Sequence, residues 1–523
     1  MRYEQSVNRW KFTVGDYNCN VVIPHTWNVD DDIMKYRGKA KYETTVFVSD
    51  ELNGKKAFLK FNAVYHTASV FVNGKNIGTH SRSGFTPFKL DITDAVKFGD
   101  ENTVCVEVDN THIDEMLPHK DDFDWADDGG IIRRVTLEFI ESDGIEYMHI
   151  DEKISSISNG LANGTLEIKT NINKPCKVKI YDYSTGRLLI ESNSLTVPFE
   201  NLKLWSCYHP NLYTVTLETD NDIYEQRIGI RKIEVKGKKV FLNEEEIYLK
   251  GCEWMPGSHP DFGMAEPLDH SIKCLRQLKS AGCVFTRFHW QQDDFLFDWC
   301  DENGLLVQEE IPYWGHPKEA TPLQLDIAKQ QADEMIYFHF NHPSIICWGV
   351  GNELGAEKAA TIDYVKNIIA YIKSKDSNRL VNYVSNTLSR VENAEKDDAT
   401  LYGDIAMWND YLGLWEPSDD IVNHMIKTCK KAEGMPLLVS EFGLCEPHFK
   451  GGDKERARIL EERLALYKKI DNICGYMWFS LNDYRTHCGE AGEDKMRQRV
   501  HGSTDLYGNK KPSYELLRKL QSK

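Results

Sequence analysis

Residues 344–353 read Ser344-Ile345-Ile346-Cys347-Trp348-Gly349-Val350-Gly351-Asn352-Glu353. A short apolar run of strand length breaks into glycines and ends on a carboxylate. Residues 437–443 repeat the pattern as Leu437-Leu438-Val439-Ser440-Glu441-Phe442-Gly443. From about residue 234 onward, such runs alternate with helical stretches. Ile247–Gly251 precedes a helix around Ile272–Ser280, and Phe285–Phe288 precedes Phe295–Glu302. Leu305–Val307 leads to Leu325–Phe338. Ser344–Trp348 leads to Ile362–Lys373, where Ile362, Val365, Ile369 and Ile372 recur at helical period. Leu380–Val384, Asp404–Met407, Leu437–Val439 and Tyr476–Trp478 complete eight strand candidates. Repeated β-α units of this number and length predict a (β/α)8 TIM barrel over 234–523.

The preceding sequence has a different texture. Residues 1–142 carry short strands and turn signals, such as Val70-Phe71-Val72 running into Asn73-Gly74. Asn-Gly suits a tight hairpin because both turn residues must reach positive φ. No helical period longer than two turns stands out, so this part is expected to be a jelly-roll-like β-sandwich. Residues 143–233 continue in period 2, as in Leu166-Glu167-Ile168-Lys169 and Leu212–Leu217, and suit an immunoglobulin-like β-sandwich. No Pro/Gly/Ser-rich linker separates the three parts, so they are expected to pack together.

The formal net charge of −18 offers no attraction for nucleic acid or an anionic membrane. No apolar run of 18 residues occurs, and the first residues lack the apolar segment of a secretory signal. The thirteen cysteines are odd in number, irregularly spaced and free of Cys-x-x-Cys pairs, which predicts reduced thiols and a cytoplasmic location. The sequon Asn163-Gly164-Thr165 is then read as chance.

Chemistry in such a barrel sits at the C-terminal strand ends. Glu353 follows strand four and Glu441 ends strand seven, so barrel closure aims both into one mouth. A retaining glycosidase needs such a pair: one carboxyl protonates the leaving oxygen while the other attacks the anomeric carbon. An arbitrary Glu is usually a surface or ion-pair residue. A Glu that ends an apolar strand beside glycine is a better candidate, and Arg287 is a candidate partner for the ionised member. Trp254, Trp290, Trp314, Trp348, Trp408, Trp415 and Trp478 fall near strand ends or in the following loops. Sugar C–H faces stack on such rings, although about half of these tryptophans are expected to be core. His289, Asn352, Asn409 and Tyr411 sit beside them. Dinucleotide-loop, zinc-protease, phosphate-loop and nucleophile-elbow signatures are absent.

Together these residues resemble glycoside hydrolase family 2, the β-galactosidase, β-glucuronidase and β-mannosidase family. The resemblance runs from Pro24-His25-Thr26-Trp27-Asn28 and Gly129-Gly130-Ile131-Ile132-Arg133 through Leu204-Trp205 and Thr286-Arg287-Phe288-His289. It continues through Asn341-His342-Pro343-Ser344, Asn352-Glu353 and Ser440-Glu441-Phe442-Gly443. It implies Glu353 as acid/base and Glu441 as nucleophile. Asn352 would bond the sugar 2-hydroxyl, while His289 and Trp478 would line the sugar subsite. Asn409-Asp410-Tyr411 matches a segment in which Tyr411 holds the nucleophile. Asp124 matches a residue reaching in from the first sandwich.

Two departures leave the sugar open. The glucuronidases grip the substrate carboxylate with Asn-x-Lys before a glycine, whereas this chain has Arg499-Val500-His501-Gly502. The large galactosidases hold magnesium through Glu-x-His, and here Glu309-Glu310-Ile311-Pro312-Tyr313-Trp314 lacks the histidine. The expected activity is retaining exo-β-glycoside hydrolysis, β-galactosidase-like first. A glucuronide or galacturonide hydrolase using Arg499 or Arg485 is the alternative. A non-catalytic carbohydrate-binding protein is the rival from another class. No cofactor or metal is expected. The expected partner is a small carbohydrate or glycoside, with homo-oligomerisation left open.

Overall fold

The computed structural model describes residues 2–119, 124–393, 395–486 and 496–522. In the first unit a six-stranded antiparallel sheet runs in the order Tyr17–Val22, Arg9–Val14, Lys39–Val48, Asp100–Asp109, Thr67–Val72, Lys75–His80. A four-stranded sheet joins Tyr3–Ser6, Val135–Ile140, Lys56–Phe61 and Phe88–Asp91. Alternate side chains such as Trp10, Phe12 and Val14 turn into the core with Tyr42, Phe61 and Phe139. The hairpin over Thr67–His80 turns at Asn73 and Gly74, with φ of 50° and 78°, as the Asn-Gly pair requires.

The second unit is a smaller sandwich with its own core. Its three-stranded sheet is Met148–Ser158, Leu161–Thr170 and Thr196–Lys203. Its four-stranded sheet is Leu188–Ser192, Lys177–Asp182, Tyr213–Glu218 and Ile223–Ile228.

The third unit is a closed eight-stranded parallel barrel. Its strands are β1 (Leu249–Cys252), β2 (Phe285–Phe288), β3 (Leu306–Glu310), β4 (Ile345–Asn352), β5 (Leu380–Ser385), β6 (Ala406–Asn409), β7 (Leu437–Glu441) and β8 (Ile473–Trp478). Strand β8 returns to β1 through the pair Leu249↔Gly475. The helices are α1 (Leu268–Ser280), α2 (Asp294–Asn303), α3 (Pro322–His339), α4 (Ala359–Lys375), α5 (Ile421–Lys431), α6 (Gly452–Tyr467) and α7 (Pro512–Gln521). The connection from β5 to β6 contains only two 3-10 turns, Val391–Asn393 and Ala399–Tyr402, in place of an α-helix. The hairpin Ile233–Lys236 and Lys239–Leu242 packs with Leu249, Phe285, Leu306 and Ile346 near the starts of their strands, covering the end opposite the mouth.

The first sandwich is tied to the barrel by charge. Arg134 and Asn62 donate to Asp293 and Asp294 at the start of α2, and Lys60 pairs with Asp294 at 3.0 Å. Asp293 also caps α2 by accepting from the Phe295 N–H, so one carboxylate serves helix and interface. Between the second sandwich and the barrel, Arg231 donates to the carbonyls of Pro343 and Ile345. The twelve cysteines within the described residues are free thiols, most of them buried. No described helix is long and apolar enough to cross a membrane.

Candidate active site

Four strand ends build the floor of the mouth. Arg287 on β2 is fully buried and has three carboxylate partners. It pairs with Glu310 of β3 at 3.0 Å, with Glu253 just beyond β1 at 2.9 Å and with Glu441 of β7 at 3.1 Å. His289 follows Arg287 by two residues, so it faces the same side of its strand. Its Nε2 lies 2.8 Å from Glu253 and 3.8 Å from Glu441. Such a cluster stands dry only because each charge has an opposite neighbour. Burial opposes the charge on Arg287, but Glu253, Glu310 and Glu441 hold its pKa far above the usual value. Burial and Arg287 likewise oppose a charge on His289, yet Glu253 and Glu310 hold its pKa up at about 9.

The two expected catalytic carboxylates line one cavity of about 700 Å³ and differ in their partners. Glu441 accepts from Arg287 Nη1 and, at 3.0 Å, from the Tyr411 hydroxyl. Glu353 accepts from two neutral donors, Trp314 Nε1 at 3.1 Å and Asn409 Nδ2 at 2.6 Å. Its backbone has φ of 56°, a left-handed conformation that costs a residue with a Cβ roughly 1–2 kcal/mol. The backbone is held there by a Glu353 N–H bond to the Val384 carbonyl, 3.0 Å. Asn409 also donates to Asn352 and accepts from Ser440, so β4, β6 and β7 are laced together beneath the cavity.

Burial pushes both carboxyls above the ordinary range. For Glu441 the charges of Glu253 and Glu353 push further, while Arg287 and His289 pull back. Even against these two cations, Glu441 is pushed up to about 8. For Glu353 the Asn409 and Trp314 donors and the charge of Arg287 pull down, while Asp124 pushes up.

Asp124 reaches the cavity from the first sandwich, as expected. It accepts from Tyr484 at 2.7 Å and from Arg499 Nε at 2.6 Å. Burial raises its pKa, against the pull of Arg499. Asn352, His289, Asn409, Tyr411 and Arg499 also line the cavity.

Trp478 is a correction. Its indole is fully buried, donates to Ser503 Oγ at 2.9 Å and packs edge-on against Phe442, so the next residue, Phe479, lines the cavity instead. Arg485 is also away from the lining, held in a two-pronged pair with Asp128 at 2.6 and 3.1 Å. Of the tryptophans considered from sequence, Trp314 and Trp415 line the cavity, while Trp254, Trp290, Trp348 and Trp408 are buried. The loop after β8 that carries Arg485 and Arg499 lies outside the described residues over 487–495. Sequence reasoning missed Glu253, Trp125, Tyr484 and His501. The signal for Glu253 was a carboxylate directly after an apolar strand, beside Trp254.

Two groups in the described residues bring carboxylates and a histidine close enough to share a cation: Glu253, His289 and Glu441, and Asp298, Asp301 and His342. In each, an arginine already sits among the carboxylates. Arg287 fills that place in the first group, and Arg227 lies 2.6 Å from Asp298 in the second. A metal ion would have to displace a guanidinium that already supplies the positive charge.

A parallel barrel with two buried, unequally partnered carboxylates at its C-terminal mouth defines the glycoside hydrolase class of site. Sequence models of "Glycosyl hydrolases family 2" match the sugar binding domain over residues 6–139, the following domain over 132–231 and the TIM barrel domain over 233–478. The chain belongs to glycosyl hydrolase family 2.

It is 28% identical over 484 residues to a β-glucuronidase of Bacteroides fragilis, covering 83% of this chain and 67% of that protein. It is 31% identical to a putative β-glucuronidase of Formosa agariphila, where the match covers 67% of this chain but only 45% of the relative. A β-galactosidase of Thermoanaerobacterium thermosulfurigenes is 28% identical, with 93% and 70% covered. A solved β-D-glucuronidase of Dictyoglomus thermophilum superposes with a TM-score of 0.89 at 23% identity, covering 100% of this chain and 97% of that one.

Proposed function

We propose that this chain is a retaining exo-β-glycosidase in which Glu441 is the nucleophile and Glu353 the acid/base. The observation that carries this reading is the unequal surroundings of the two carboxyls. Arg287 and Tyr411 direct their donors at Glu441, which suits a group that must be ionised to attack. Glu353 has only neutral donors, which suits a group that must hold a proton.

In the first step a Glu441 oxygen bonds to the anomeric carbon as the bond to the leaving oxygen breaks. The proton of Glu353 passes to that oxygen. In the second step Glu353 takes a proton from water, the water oxygen bonds to the anomeric carbon from the first leaving group's side, and Glu441 departs. Asp124, Tyr484 and Arg499 line the cavity beside this centre, which suits the capture of a terminal sugar.

For the sugar, a neutral β-galactoside is the first reading, because the Arg499 guanidinium is already matched by Asp124 at 2.6 Å. A β-glucuronide or β-galacturonide is the second. Arg499 is a cation in the cavity wall, and relatives of both kinds are similar to this chain. The test compares kcat/KM for the 4-nitrophenyl β-galactoside, β-glucuronide and β-galacturonide. A uronide advantage of tenfold, about 1.4 kcal/mol, would replace the first reading by the second. Loss of that advantage in Arg499→Ala would identify the grip. No turnover of any β-glycoside would favour the sugar-binding alternative.

A further inference from the structure

Glu353 has two opposite tasks, giving up a proton in the first step and taking one from water in the second. The groups that face it come from several elements. Trp314 beyond β3 and Asn409 of β6 donate to it, and Arg287 of β2 and Asp124 of the first sandwich act on it through charge. Glu441, Tyr411 and Tyr383 also feel its charge. The shorter of its two hydrogen bonds is the one from Asn409 Nδ2, at 2.6 Å.

An amide helps or hinders a carboxylate according to the end it presents. Nδ2 donates and so favours the ionised form, whereas Oδ1 only accepts and so favours the protonated form. Asn409 turns Nδ2 toward Glu353 and toward Asn352 Oδ1, 3.2 Å away. Its other end, Oδ1, accepts from Ser440 Oγ at 2.8 Å. Ser440 is fully buried on β7, one residue before Glu441. The ladder between β6 and β7 pairs Trp408 with Val439 but Asn409 with Glu441, so Ser440 is the extra residue of a bulge. A bulge re-aims a side chain, and this one brings a hydroxyl to the amide.

Turning the amide over would set Oδ1 against two oxygens, Glu353 Oε1 and Asn352 Oδ1. It would also take from the Ser440 hydroxyl proton the acceptor it now has. The chain from Ser440 through Asn409 to Glu353 polarises in one direction, because a donor on the carbonyl oxygen strengthens the amide N–H as a donor.

Resting on the glycosidase reading above, we infer that Ser440 is a positioning residue whose hydroxyl fixes the end of the Asn409 amide that meets Glu353. It thereby keeps Glu353 able to act as the base of the second step. The residue before the nucleophile serves the acid/base. Without that hydroxyl, Asn409 Oδ1 loses its donor in a dry place and the amide is no longer held at that end. Glu353 then loses part of its stabilisation as an anion.

The test is Ser440→Ala on the 2,4-dinitrophenyl β-galactoside, or the glucuronide if that sugar is preferred. This leaving group needs little protonation, so the second step limits turnover. The variant's kcat should fall about tenfold and its KM with it, leaving kcat/KM within about twofold of wild type. Azide attacks the glycosyl-enzyme without giving up a proton, so it should restore most of the lost kcat. With the methyl glycoside, which needs the acid, the basic limb of the kcat/KM profile should move to higher pH. In an Asn409→Ala background, Ser440→Ala should cost nothing further, because it acts through that amide.

A fall in kcat with KM unchanged overturns the inference, since a misplaced nucleophile or a partly folded protein gives that pattern. So does a loss that azide leaves untouched, or one fully additive with Asn409→Ala. An active wild type whose kcat survives Ser440→Ala unchanged refutes the role of Ser440 alone. A wild-type protein inert on every β-glycoside refutes the glycosidase reading itself, a result distinct from these.

Discussion

Glu353 and Glu441 are the same chemical group at the ends of two strands of one barrel, and the protein surrounds them differently. The Glu441 side holds a fully buried arginine, a histidine with a raised pKa and a tyrosine hydroxyl. The Glu353 side holds an indole N–H and an amide. Burial drives both carboxyls toward protonation, so burial cannot separate their roles. The separation comes from contact: Arg287 and His289 lie against Glu441, whereas the donors on Glu353 are neutral.

Removing the group with the cationic side should cost most. Glu441→Ala is expected to lower kcat by roughly 10⁴-fold or more without unfolding, since no covalent route remains. Ordinary turnover by that variant, measured with a nitrophenyl glycoside, would break the comparison. Arg287→Met should follow. It leaves three buried carboxylates without their shared cation, for a loss of about 3–5 kcal/mol of stability and roughly 10²–10³-fold in kcat. Denaturant melts beside kinetics read both, and a stable, active variant would show the arginine to be dispensable.

Glu353→Ala should depend on the leaving group. Alkyl or sugar leaving groups are expected to lose roughly 10³-fold, whereas a nitrophenolate, which needs little protonation, should lose far less in the first step. Uniform losses would remove Glu353 from the acid role.

The smallest effects are shifts of the pH profile. His289 pulls the pKa of Glu441 down, so His289→Gln should raise it and move the acid limb to higher pH. The Trp314 indole stabilises ionised Glu353, so Trp314→Phe should raise that pKa and move the basic limb to higher pH. Limbs moving the opposite way in kcat/KM profiles would reverse the assignments.

The barrel and both catalytic candidates were legible because each buried strand is an apolar run with a turn signal after it. A carboxylate in that position has few structural reasons to be there. The network under Glu441 was legible in Arg287, His289 and Tyr411 but not in Glu253 or Glu310. Glu253, Arg287 and Glu310 meet because β1, β2 and β3 lie side by side in register, which no local pattern states. Trp478 went astray because an indole at a strand end can serve wall or core, and the partner that decides it, Ser503, lies in the following loop. Arg485 and Arg499 look alike in sequence. Asp128 and Asp124, both from the first sandwich, pair with one in the interface and the other in the cavity wall.

The configuration of rescued products tests the account most directly. Glu441→Ala and Glu353→Ala are each supplied with azide and an activated nitrophenyl β-glycoside, and the glycosyl azide formed is assigned by NMR. Azide replacing the nucleophile attacks the face opposite the leaving group, so Glu441→Ala should yield the α-glycosyl azide. Azide standing in for water after an intact first step attacks the glycosyl-enzyme, so Glu353→Ala should yield the β-azide. An α-azide from Glu353→Ala together with a β-azide from Glu441→Ala would contradict the assignment of roles drawn from their surroundings.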